Sequence, residues 1–117
     1  MEVYDTANKL AEEIKTSDQY ITFKNIKDRL FNDPQMKNKI MEFENLKQEL
    51  QLMEVKQQNK EEIDENDKKV KLIKLYNGLV EDKDVKAYFD AEIAFNQMMI
   101  DINKIIGDSI KDVLFNG

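Results

Sequence analysis

The chain has 117 residues and a formal charge of −6, with 36% charged and 41% apolar side chains, one proline, three glycines, and neither cysteine nor histidine. That balance fits a single helix-rich domain over 1–117 with short connections, and it leaves no disulfide framework and no thiol chemistry. The net negative charge repels nucleic acid phosphates and no apolar run approaches the ~18 residues of a membrane span, so the expectation is a cytoplasmic protein with no direct nucleic acid or membrane contact.

Apolar residues at Val3, Ala7, Leu10, Ala11 and Ile14 recur at steps of three and four, which predicts a first amphipathic helix over 2–15. Thr16 and Ser17 interrupt it. Ser17 is suited to accept from the amides of the next turn, so a second helix is expected through Tyr20, Phe23, Ile26, Leu30 and Phe31 as far as Asn32. Asp33-Pro34 then resets the chain: aspartate caps, and proline takes the first helical position with no amide left unpaired. The third helix carries Met36, Ile40, Phe43, Leu46, Leu50 and Met53 on one stripe, suited to antiparallel packing. Between Lys56 and Lys69 only Ile63 is apolar, which predicts a polar crossover, either a loop or two projecting helix ends. A fourth helix is expected by Val70, with Ile73, Tyr76 and Val80 on one line, Leu72 and Leu79 beside it, and Gly78 as a close-packing or kink position. Asp82 is the expected cap of a long last helix.

That last helix, Lys83 to Phe115, organises the fold. On a wheel at ~100° per residue, Lys86, Asp90, Gln97, Asp101, Lys104, Asp108 and Lys111 share one narrow solvent face. Tyr88, Ala91, Phe95, Met98, Ile102 and Ile105 form one apolar seam, and Phe89, Ile93 and Ile100 form a second. A helix of this length spans about 50 Å, against a radius of gyration near ~13 Å for a compact 100-residue domain. The fold expected is therefore all-α: an elongated antiparallel bundle of about five helices, two of them long, paired with a second copy. Tyr88, Phe89, Ile93, Phe95, Met98, Ile100 and Ile102 are the candidate self-association or partner surface. An offset of 49 residues lays Leu30 on Leu79, Asp33 on Asp82 and Lys37 on Lys86, and leaves open whether one helical hairpin is a duplicate of the other.

Side chains for catalysis are sparse. Without histidine or cysteine the usual general base and the strongest nucleophile are missing, and Ser17 is accounted for as a cap. Asp64-x-Asn66-x-Lys68 opens like a calcium loop but lacks the glycine and the closing glutamate. No glycine-rich phosphate loop occurs, and Lys68, Lys69, Lys71 and Lys74 read as a solvated face balanced by Glu61, Glu62, Asp64, Glu65 and Asp67. The sequence predicts no enzyme, no cofactor and no metal.

Val3-Tyr4-Asp5, Ser17-Asp18-Gln19-Tyr20, Asp33-Pro34, Phe43-Glu44-Asn45-Leu46, Ala91-Glu92 and Asn103-Lys104-Ile105-Ile106 resemble the YheA branch of the YheA/YmcA/YlbF-like helical proteins of Gram-positive bacteria. The resemblance covers nearly the whole chain. It implies an all-helical cytoplasmic dimer whose relatives influence sporulation, competence and biofilm formation and assist an endoribonuclease in messenger RNA processing. Some relatives are linked to iron-sulfur clusters held by cysteine, and this chain has none. The leading expectation is a non-enzymatic homodimeric adaptor that presents a helical surface to another protein. Two alternatives are a self-contained structural oligomer and a small-molecule or metal-binding helical bundle.

Overall fold

The computed structural model describes residues 2–56 and 62–115, all of whose elements are helices: α1 (Glu2–Lys15), α2 (Asp18–Phe31), α3 (Pro34–Lys56), α4 (Glu62–Leu79) and α5 (Lys83–Phe115). The all-α expectation holds, and the starts of α1, α3 and α5 fall where the sequence places them. Residues 57–61 lie outside the described residues; α3 runs to Lys56 and α4 is under way from Glu62, before Val70, so of the two readings of the crossover the helix ends fit the stretch from Glu62. Charge supplies local support where apolar spacing is missing: Lys69 pairs with Glu65 one turn back at 3.7 Å, and Lys68 reaches across to Glu49. With Asn66 and Lys68 inside a helix, the calcium-loop reading of that stretch is gone.

Each expected cap is present. The Ser17 hydroxyl accepts from the Tyr20 amide at 3.2 Å and donates to the Ile14 carbonyl at 2.6 Å, ending α1 and opening α2 with one side chain. Asp33 Oδ1 accepts from the Gln35 amide at 3.0 Å, and Asp82 Oδ1 from the Asp84 amide at 2.8 Å. Their backbones match as well. The Asp33 amide donates to the Leu30 carbonyl at 3.2 Å and the Asp82 amide to the Leu79 carbonyl at 3.1 Å, while the carbonyls of Asp33 and Asp82 accept from Lys37 at 2.9 Å and Lys86 at 3.0 Å. Leu30 and Leu79, the last large residues before each break, are both buried. The offset of 49 residues thus corresponds to two junctions alike bond for bond, although α2 and α4 do not begin at that offset.

The chain groups into two compact units, 27–87 and the pair of segments 1–26 and 88–117. In the 27–87 unit, α3 packs antiparallel on α4, with Ile40, Phe43, Leu46 and Leu50 buried and Met36 and Met53 half-buried, as the stripe predicts. Ile40 and Val85 have no exposed surface at all. Of the expected line on α4, Ile73 and Tyr76 are exposed and Val80 is half-buried, and Tyr76 keeps a ring contact with Phe43 of α3 at 5.9 Å. Leu72, Leu75 and Leu79 turn inward, with the stem of Lys68 continuing their row, while Val70, Ile73 and Tyr76 are exposed. Two apolar lines compete on α4, and with the leucine line inward Lys68 and Lys71 reach Glu49 and Glu42 of α3. Gly78 is no close-packing site either: a Cβ built on it meets nothing within 4 Å.

In the other unit, α2 contributes Tyr20 and Phe23 to an aromatic cluster with Tyr88, Phe89 and Phe95 of α5. Ring centroids lie 5.4 Å apart for Phe23 and Tyr88, 5.7 Å for Phe23 and Phe95, and 6.0 Å for Tyr20 and Phe95. Tilted and offset rings at these separations add about 0.5–1.5 kcal/mol per pair beyond area burial.

Removing either matched cap, Asp33→Ala or Asp82→Ala, is expected to lower stability by about 1 kcal/mol in urea unfolding. Gly78→Ala is expected to raise it by up to about 0.5 kcal/mol, because the last turn of α4 gains propensity and the new methyl meets open space.

Candidate interaction surface

The seven candidate surface residues on α5 separate into three groups. Tyr88 and Phe89 are buried, Phe89 at 5% exposure, and belong to the core. Phe95, Met98 and Ile102 are half-buried. Ile93 and Ile100 stand exposed at 66% and 57%. The second seam is thus not one surface. On the wheel Ile93 and Ile100 lie at the margin of the polar face, flanked by Gln97 and Lys104, which bond to Asp101 at 2.9 Å and Asp108 at 2.7 Å along the helix. Single exposed isoleucines among charges are ordinary on a protein surface.

The larger exposed apolar area lies farther along α5. Ile105 is 70% and Val113 81% exposed, and Ile106 and Ile110 lie between them with about half their surface open. With Ile102 these side chains spread over about 140° of the helix circumference, on the same side as Phe95 and Met98. The cause is length. The rings that α2 sets against α5 end at Phe95, and α5 continues for ~30 Å beyond it to Phe115. The first helix repeats the pattern: α1 is amphipathic yet buries no residue, with Val3 and Tyr4 open and only Leu10 and Ile14 half-covered. Sequence spacing assigned Ile105 to a covered seam and passed over Ile106, Ile110 and Val113. The signal that finds them is the mismatch between the 33 residues of α5 and the 14 residues of α1 and of α2.

Among the described residues no group of three or more acidic, histidine or cysteine side chains is placed to hold a metal ion, and no helix is long and apolar enough to cross a membrane. The geometry supplies surfaces, chiefly helical ones.

A family model described as control of competence regulator ComK, YlbF/YmcA, matches residues 3–111. The chain belongs to the YlbF/YmcA family. Among its relatives, a UPF0342 protein of Halothermothrix orenii is 36% identical over 91% of this chain and 86% of its own length. A UPF0342 protein of Symbiobacterium thermophilum is 32% identical over 92% of this chain and 93% of its own, and one of Caldicellulosiruptor bescii is 34% identical over 93% and 88%. No solved structure matches the chain significantly. The description of the YlbF/YmcA family is regulatory, and neither it nor the names of these relatives describe an enzyme.

The division of the seams has a direct readout. Phe89→Glu places a carboxylate in the core and is expected to cost several kcal/mol, about 3 or more, whereas Ile100→Glu at an open position is expected to shift stability by less than about 0.5 kcal/mol, both read by thermal unfolding.

Proposed function

We propose that the protein is a non-enzymatic regulatory interaction protein of the cytoplasm, of the YheA branch of its family, that pairs with a second copy of itself and presents its remaining helical surface to another protein. The observation that carries this reading is the open apolar band of α5, Ile105, Ile106, Ile110 and Val113. A band of that breadth is what a core-facing helix carries, and in water it is covered by association. The open Val3 and Tyr4 of α1 add apolar surface of the same kind. A second copy is a natural partner for such surfaces, since twofold pairing lets one patch cover its own equivalent. The family description, control of competence regulator ComK, supports a regulatory role, and the setting of messenger RNA processing rests on the resemblance to relatives alone.

Light scattering across a dilution series tests the pairing. The native chain is expected to be a dimer and the Ile105→Glu, Ile110→Glu variant a monomer with unchanged helical circular dichroism. A native chain that stays monomeric to about 100 μM, or a variant that stays dimeric, overturns the assignment of that band.

A further inference from the structure

The distal half of α5 reads nearly alike from both ends. Ile106 is the centre: Ile102 mirrors Ile110, Met99 mirrors Val113 and Asn103 mirrors Ser109, and at ~100° per residue all six lie within about 60° of Ile106 around the helix. Charge stays off that face. Asp101, Lys104, Asp108, Lys111 and Asp112, the only charged residues between Phe95 and Phe115, lie about 120° or more from Ile106. The Ser109 hydroxyl is committed within its own helix, donating to the Ile106 carbonyl at 2.8 Å, so it carries no unpaired donor into an apolar contact.

A second observation gives the same centre. The rings that α2 sets against α5 end at Phe95, and α5 itself ends at Phe115. The midpoint of that stretch is Ile105, one residue from the mirror. A second α5 laid in reverse about Ile106 brings its Phe115 level with Gln97, just past the point where α2 stops.

We propose that two copies of the chain pair through these distal turns with their α5 helices antiparallel and the twofold axis beside Ile106. The inference rests on the reading of this band as a self-association surface, and it supplies the direction and register of the pairing. Mirror order selects the occupant, because a seam that reads alike from both ends is complementary to its own reverse, and a foreign helix gains nothing from it. The place of α2 selects the direction. Tyr88 and Phe95, which the α2 rings meet, lie within about 20° of Ile106 on the wheel, so a parallel copy on that face runs into α2 while a reversed one ends before it. Ile102 is then level with Ile110 of the second copy, and Met99 with its Val113. The mirror breaks at Ile105 and Gly107. Twofold symmetry gathers both copies of Ile105, 70% exposed in the single chain, on one edge of the pair. Both copies of Gly107 come to the other edge, where a Cβ would meet nothing within 4 Å.

The chain has no cysteine, so introduced thiols report without background. The Ile102→Cys, Ile110→Cys chain is expected to form a covalent dimer on mild oxidation. Within one chain the two positions are ~12 Å apart along the helix, beyond the reach of a disulfide. Either substitution alone is expected to give about tenfold less covalent dimer, since like positions on the two copies are again ~12 Å apart. A nitroxide on Asp90→Cys, on the solvent face outside the band, is expected to lie about 50 Å or more from its equivalent, against about 30 Å or less for a parallel pair. Should cysteines in the band weaken pairing, the Asp90 label reads the direction by itself. Cross-linking by a single variant at the level of the double one, or the shorter label separation in a chain of dimeric mass, overturns the direction and register and leaves self-association standing. A native chain that is monomeric by light scattering overturns both.

Discussion

Cover for α5 is the constraint on which the rest of the structure depends. A 33-residue helix that is apolar on more than one side cannot stand alone in water, and its neighbours are α1 and α2, each of 14 residues. The first turns of α5 are provided for. Val85 is fully enclosed, Tyr88, Phe89 and Ala91 are buried, and the rings of Tyr20 and Phe23 close over the approach to Phe95. Beyond Ile102 the described residues offer no comparable cover. That imbalance leaves Ile105, Ile106, Ile110 and Val113 with about half or more of their surface in water.

The punctuation of the chain is as consequential as its apolar spacing. Three side chains, Ser17, Asp33 and Asp82, decide where helices stop and restart, each by accepting an amide at the opening of the next helix. At Asp33 and Asp82 the preceding leucine is buried and its carbonyl receives the aspartate amide, so the break and the core contact are set within four residues of one another. A short polar connection of this kind fixes the direction of the next helix as well as its starting point. Surface ion pairs matter less for stability. Arg29 with Asp84 and Lys71 with Glu42, both at 3.8 Å and both exposed, add little free energy.

Much of this was legible in the residues. Capping chemistry is local, so Ser17, Asp33-Pro34 and Asp82 announce themselves without knowledge of the fold. The α3 stripe is also plain, because its apolar residues form one line with no competitor. On α4 the sequence offers two lines about 100° apart, and spacing alone does not decide between Leu72, Leu75, Leu79, which turn inward, and Val70, Ile73, Tyr76. Gly78 illustrates the same limit: glycine signals either a close approach or an opening, and burial of its neighbours tells which. The candidate surface on α5 was half legible. Periodicity identifies which residues are apolar together, but Ile93 is open because it lies at the margin of the polar face, and Ile105 because the covering rings end at Phe95.

The adjacency of α3 and α4 in sequence bears on how the chain reaches this state. Its principal helix pairing joins elements adjacent in sequence, so little chain entropy is lost before apolar contacts form, and topologies of this sort fold in about microseconds to milliseconds. The 27–87 segment, bounded by two capped junctions and holding Ile40 and Val85, is the region equipped to nucleate early. The distal turns of α5 have no such local reward. A solvent-facing apolar band of this kind is instead where the free chain meets the greatest cost of hydration, since Ile105 and Val113 keep most of their surface in water.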